Sequence, residues 1–130
     1  MTTEQCMCGK KKPFSKCCGV FLSGEKNAKT PEQLMRSRYS ANVLGSHGEY
    51  LMATWLPATA IGLSASELSK KTLDWQRLEV ILSSQKGDNG TVEFKAWYKS
   101  PNSEELEVMH EISEFVRIQS HWLYVGGQVS

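Results

Sequence analysis

The sequence predicts an α+β domain, with N-terminal helices packed on one face of a curved four-stranded antiparallel sheet and a small cysteine knuckle in front. Three observations predict it. Apolar residues recur at helical spacing between residues 30 and 73, they alternate with polar residues from 74 onward, and all four cysteines fall between Cys6 and Cys18. The expected division is a knuckle over residues 1–24 and the α+β domain over 25–130. With 130 residues, 40% of them apolar and 22% charged, the chain has the composition of one ordinary globular domain. Collagen-like, largely disordered and disulfide-saturated classes are excluded.

Residues 20–29 read as a loop joining knuckle to body. Thr30-Pro31-Glu32-Gln33 then starts a helix: Thr30 can cap it, Pro31 takes the first helical position, and Gln33 can complete a capping box. Leu34, Met35, Tyr39 and Val43 form its buried stripe, and Gly45 ends it. A shorter helix over 47–55 carries Tyr50, Leu51, Thr54 and Trp55 before Pro57 stops it. Ser64-Ala65-Ser66-Glu67 is a second capping box, opening a helix to about residue 73.

The pattern then changes period. Leu78, Val80 and Leu82 alternate in a strand over 75–84, and Lys86-Gly87-Asp88-Asn89-Gly90 is a hairpin turn rich in residues that tolerate positive φ. Val92, Phe94, Ala96 and Tyr98 alternate in the next strand, and Pro101-Asn102-Ser103 marks another turn. A long strand over 106–119 has no clear core parity: Val108, His110, Ile112 and Val116 share one face and Phe115 lies on the other. A last strand over 121–125 is ended by Gly126-Gly127.

The charge is unevenly distributed. Residues 1–38 carry eight Lys and Arg against three acids, a net of +5, whereas the remaining 92 residues carry a net of −4. A basic head suits an anionic partner, or else offsets negative charge built into the head itself. The cysteines make the second reading concrete. Cys6-Met7-Cys8 and Cys17-Cys18 are separated by eight residues that include Gly9 and Pro13, so the segment can fold back and bring the pairs together. Disulfides between neighbouring cysteines are strained, disulfides across the two pairs would need an oxidising compartment for which no secretion signal speaks, and catalytic dithiols usually keep C-x-x-C spacing. Four thiolates from two ends of a short loop suit a tetrahedral ion, with every position filled by protein, hence a structural or recognition role. Sulfur-only sites take zinc or iron, zinc being the expected ion and iron the alternative in the cell. Four thiolates around a divalent ion leave about −2 of formal charge. Lys10, Lys11, Lys12 and Lys16 would neutralise it and favour thiolate formation.

No apolar run approaches the roughly 18–20 residues needed to cross a bilayer. The first residues have neither the basic nor the apolar region of a secretion signal. A cytoplasmic protein without membrane insertion is the expectation.

The pattern C-x-C-x8-C-C followed by Gly19 resembles the SEC-C motif, the metal-binding tail of the SecA preprotein-translocase ATPase, whose usual form is C-x-C-G-S-G-K-K-[YF]-x-x-C-[CH]-G. Gly9, Lys11 or Lys12, Phe14, Gly19 and all four ligand positions match, while Lys10-Lys11 replaces the habitual Ser-Gly. The helices-then-meander order of the body resembles the nuclear-transport-factor-like (cystatin-like) cone. Leu34-Met35-Arg36-Ser37-Arg38-Tyr39-Ser40-Ala41, Ala53-Thr54-Trp55-Leu56-Pro57, Gly90-Thr91-Val92-Glu93-Phe94-Lys95-Ala96 and His110-Glu111-Ile112-Ser113-Glu114-Phe115-Val116 resemble the YchJ-like family of bacterial proteins, over nearly the whole chain. Leu56 stands where members often have His. The resemblance implies metal at Cys6, Cys8, Cys17 and Cys18 and a binding or adaptor role. A protein partner in export, chaperoning or ribosome-associated quality control would then be met through Lys10, Lys11, Lys12, Phe14 and Lys16. Direct RNA binding by the same lysines is an alternative, as is a small-molecule site or an isomerase- or dehydratase-like enzyme in the cone cavity.

For that last alternative the candidate residues are His110, Glu111, His47, His121 and Asp74. His110 and Glu111 are adjacent on a strand and so point to opposite faces. Whichever faces inward could act with Arg36, Arg38 or Tyr39, or Arg38 and Glu111 could form a buried ion pair linking helix to sheet. The expectation is no catalysis. Trp97, on the polar parity of its strand, is a candidate for a partner or dimer surface, or for packing against the knuckle.

Overall fold

In a computed structural model of the protein, residues 5–71 and 73–129 are described. A short 3-10 turn (Phe14–Lys16) leads into α1 (Cys18–Leu22), followed by α2 (Pro31–Leu44), α3 (Gly48–Ala53), a second 3-10 turn (Pro57–Thr59) and α4 (Ala65–Leu68). The strands are β1 (Asp74–Lys86), β2 (Asn89–Lys99), β3 (Glu107–Ile118) and β4 (His121–Val129). They form one antiparallel sheet in the order β1-β2-β3-β4. The expected α+β fold is the one observed.

α2 starts as the cap chemistry requires. The Thr30 hydroxyl accepts from the Gln33 amide at 3.1 Å, and the Gln33 side-chain oxygen accepts from the Lys29 amide at 2.7 Å, closing the box one residue early. Gly45, at φ +73°, ends the helix in a conformation few other residues adopt. Leu34, Met35 and Tyr39 are buried against the sheet residues Leu78, Val92, Phe94 and Ala96. α2 is enclosed on more than one side, because Ser37 and Ser40 have no exposed surface either. Ser37 satisfies its hydroxyl on the Leu34 carbonyl at 2.8 Å, 2.6 Å from the Tyr50 hydroxyl.

Register shifts at 75/77 and 80/82 in β1, and in β4 where Val125 is the extra residue opposite 114/115, interrupt the sheet ladder. Such bulges increase local twist and bend the strand that carries them. The bulge after Val80 corrects the simple alternation: Leu82 pairs with Glu93 on the outer face and is 61% exposed. β3 likewise turns Met109, Glu111, Ser113 and Phe115 toward the helices, opposite Ala96, Phe94, Val92 and Gly90. Val108 and Ile112, on the other face with His110, are exposed.

Three boundaries differ from expectation. α1 runs on to Leu22, into the expected loop over 20–29, α4 stops at Leu68, and β4 continues through Gly126-Gly127 to Val129. Those glycines pair with Glu114 and Ser113, and Glu111 lies against Gly127, where a larger residue would collide with its side chain.

Candidate functional site

The knuckle is built by short-range hydrogen bonds. The Cys6 amide donates to the Lys12 carbonyl at 2.7 Å and the Gly9 amide to the Cys6 carbonyl at 3.2 Å, with Gly9 at φ +94° making the reversal. Gln5 and Pro13 bridge the two arms. The 3-10 turn then delivers Cys17, whose amide donates to the Phe14 carbonyl at 3.0 Å, and Cys18 opens α1. Gly19 is required here: a Cβ would lie 2.8 Å from the Phe14 carbonyl oxygen and 3.1 Å from its ring.

All four Sγ atoms lie within 4.8 Å of one another, Cys8 and Cys17 at 3.6 Å, and none is in a disulfide. An ion with metal–sulfur bonds of about 2.3 Å sets tetrahedral sulfurs about 3.8 Å apart, so the thiols fit one such ion without rearrangement of the backbone. Cys6, Cys8 and Cys18 are buried and Cys17 is half-buried. Contact with the Cys18 thiol, helped by the Lys10 backbone, brings Cys8 down to about 5. Burial and the Cys8 charge hold Cys17 up at about 12, and the hydrogen bond to Cys8, then burial, drives Cys18 upward. Without a cation the negative charge favours Cys8 over Cys17 and Cys18; a bound divalent ion supplies the charge that lets those two ionise.

Two contacts fasten the knuckle to α2. The Arg36 guanidinium donates to the Cys8 carbonyl and pairs with Glu32 at 2.9 Å, and the Ser40 hydroxyl lies 3.8 Å from the Cys6 sulfur. Arg36 therefore belongs to the knuckle, not to the cone cavity where it had been a candidate. Lys10, Lys11, Lys12 and Lys16 are exposed. A cleft of about 240 Å³ between knuckle and α2 is lined by Lys10, Lys12 and Lys16 together with Lys26, Lys29 and Arg36. The last three were not grouped with the knuckle lysines by sequence spacing; the fold brings them there. Phe14 is half-buried over Gly19.

Between α2 and the sheet lies a second cavity, of about 260 Å³, whose lining includes Arg38, Tyr39, Trp55, Trp75, Glu111 and Tyr124. Arg38 and Glu111 do not form the ion pair considered from sequence, since no contact within 4.0 Å joins them. Instead Nη1 of Arg38 donates to the Leu51 carbonyl at 2.8 Å and the Thr54 hydroxyl at 2.6 Å, and the guanidinium lies 4.8 Å from the Trp55 ring centre and 4.6 Å from that of Tyr124. Burial lowers its pKa to about 10, opposed by Tyr124, Tyr50 and Glu111, and it stays charged at neutral pH. One oxygen of Glu111 accepts from the hydroxyls of Ser113 and, at 3.2 Å, Tyr124. Thr54, Ser113 and Tyr124 are partners that sequence reading missed. For Ser113 the available signal was its parity with Glu111.

His110 points the other way, 2.7 Å from Glu93 on the outer face of the sheet. Trp97 is also on that face, half-buried, with the Arg77 guanidinium 4.0 Å above its ring. His47 precedes α3, and His121 and Asp74 begin exposed strand ends. No helix among the described residues is long and apolar enough to cross a membrane.

Comparison with known proteins agrees with this architecture. Residues 30–127 match the family model described as the YchJ middle NTF2-like domain. The chain is 37% identical to a UPF0225 protein of Photorhabdus laumondii over 96% of its own length and 80% of the relative's. It is 35% identical to one of Streptomyces coelicolor over 98% of both. Among solved structures, a SEC-C motif containing protein from Rhodopseudomonas palustris superposes with a TM-score of 0.89 at 32% identity, over 98% of this chain and 99% of that one. Another from Psychrobacter arcticus does so with a TM-score of 0.81 at 31% identity, over 98% and 83%. A cysteine knuckle of the SEC-C kind seated on an NTF2-like domain makes this chain a member of the YchJ-like, UPF0225 family.

Proposed function

We propose that the protein is a non-catalytic adaptor whose metal-pinned knuckle recognises an acidic surface of a partner protein, with zinc as the ion in the purified protein and iron as the alternative in the cell. The observation that carries the reading is the position of the basic cleft directly against the cysteine cluster, with Cys17 and Cys18 in its wall beside Lys10, Lys12 and Lys16. A segment of this length has little core of its own, so metal binding is what orders it. The ion thereby fixes the spacing of lysines that would otherwise sample many arrangements. The partner reading draws on the likeness to the SecA tail and points to export, chaperone or ribosome-associated proteins of the cytoplasm. A non-catalytic role is supported by the cone cavity, where Glu111 is held by two hydroxyls and His110 faces away.

The test is affinity capture from a bacterial lysate with three proteins: the metal-loaded chain, a Cys17→Ser/Cys18→Ser variant, and a metal-loaded Lys10→Glu/Lys12→Glu/Lys16→Glu variant. The expected result is a partner set retained by the first and lost from both variants, and resistant to ribonuclease. Capture unaffected by either variant contradicts the proposal. Capture abolished by ribonuclease replaces it with RNA binding, whose steep salt dependence would then be measurable.

A further inference from the structure

The cone cavity holds two opposite charges that the protein does not bring together. Among the described residues, only Nη1 of Arg38 has hydrogen-bond partners; Nε and Nη2 have none, and neither is sealed from solvent. Glu111 commits one carboxylate oxygen to Ser113 and Tyr124, and its other oxygen has no partner among those residues. The Trp55 ring, 4.8 Å from the guanidinium, walls the cavity beside it.

These groups define a complementary ligand. A fork of donors at Arg38 fits a carboxylate. The free oxygen of Glu111 fits an ammonium. The remaining wall is apolar, including Trp75, Phe94, Ala96 and Met109. At about 260 Å³ the space lies below the roughly 300–1,000 Å³ of pockets that take drug-sized molecules, so it suits a small metabolite and not a peptide. We propose that this cavity binds a zwitterionic small molecule of the amino-acid class with an apolar side chain. Its carboxylate sits on the free edge of Arg38, its ammonium on Glu111, and its side chain against Trp75 and Phe94. The site is independent of the knuckle, and its failure would leave the partner reading untouched.

The experiment uses the full metal-loaded chain. Tryptophan fluorescence, with Trp55 and Trp75 in the cavity wall, and thermal unfolding are followed while L-leucine and L-phenylalanine are titrated beside 3-phenylpropionate and 2-phenylethylamine. Losing one charge-assisted contact is expected to weaken binding about tenfold. So at least one amino acid binds, and the analogue lacking the amine and the analogue lacking the carboxylate each bind about tenfold more weakly or worse. Glu111→Gln should abolish the preference over 3-phenylpropionate. Ala96→Ile, which fills the cavity floor without touching either charge, should abolish binding by all four while leaving cooperative unfolding intact. No saturable response to either amino acid at millimolar concentration, equal binding of a single-charge analogue, or full binding by the Ala96→Ile protein would each overturn the proposal.

Discussion

Arg36 of α2 donates its guanidinium hydrogen to the backbone carbonyl of Cys8 while Glu32, one turn earlier, holds it at 2.9 Å. The knuckle is therefore not a free appendage. A cation from the domain fixes the peptide between two cysteines, and Ser40 on the same helix meets the Cys6 sulfur from the side. Arg36 also lines the basic cleft, so one residue both anchors the cysteine turn and contributes to the surface it presents.

Arg36→Met removes this clamp while keeping the bulk of the side chain. A hydrogen bond from a charged donor is worth about 1.5–3 kcal/mol, and the half-buried Glu32 loses its partner as well. The expected outcome is a loss of about 2 kcal/mol in denaturant unfolding with one metal ion still bound, and faster amide exchange in residues 6–18. Unchanged exchange there would show that Ser40 and the apolar contacts hold the knuckle without Arg36.

Chelation should destabilise the whole chain, because Cys6, Cys8 and Cys18 belong to the same buried cluster as Leu34, Tyr39 and Leu78. A ligand at about a thousand times its dissociation constant stabilises by about 4 kcal/mol. Removing the ion under reducing conditions is expected to lower the unfolding temperature by many degrees while the far-ultraviolet signal of the sheet persists. A melting curve indifferent to chelator would uncouple knuckle from domain.

Arg38→Lys tests how the helix is tied to β4. An ammonium cannot reproduce two donations from one nitrogen together with stacking between the Trp55 and Tyr124 rings. The Leu51 carbonyl and Thr54 hydroxyl would be left weakly satisfied, at an expected cost of about 2 kcal/mol, read by denaturant titration. A change below about 0.5 kcal/mol would make Arg38 dispensable to the fold.

The tyrosines set the response to alkali. Burial raises Tyr39 and Tyr124 from the usual 10 to about 12, and it raises Tyr50 as well. Below pH 10 all are protonated in folded and unfolded chains alike, and their contribution is fully present. As pH rises from 10 toward 12 the unfolded chain ionises first, so stability falls. Arg38, lowered to about 10, acts in the opposite direction over this range, one group against three. Unfolding temperature is expected to decline from pH 10 upward, with tyrosinate absorbance lagging behind that of the unfolded chain; a rise in stability over that interval would contradict the assignment.

How far the sequence carried the structure differs between regions, for physical reasons. The cysteine cluster is local: two pairs joined by eight residues can close only on each other, and a side-chain type with so few uses leaves little ambiguity. The helix cap at Thr30 and the stop at Gly45 are equally local. Leu82 was misplaced because a bulge after Val80 inverts the alternation, and nothing in Val80-Ile81-Leu82 distinguishes an inserted residue from a paired one. The faces of β3 were ambiguous because its core side includes Glu111 and Ser113, polar residues whose partner Tyr124 arrives from another strand. The basic cleft was only half visible for a similar reason. Lys26 and Lys29 join Lys10 and Lys16 through a chain reversal that charge counting does not see.

The most direct test of the central claim is X-ray absorption at the metal edge of the protein purified under reducing conditions. The expected result is one ion per chain, surrounded by four sulfurs at about 2.3 Å, supplied by Cys6, Cys8, Cys17 and Cys18. A shell containing nitrogen or oxygen donors, or a metal-free protein with four titratable thiols and an ordered knuckle, would contradict it.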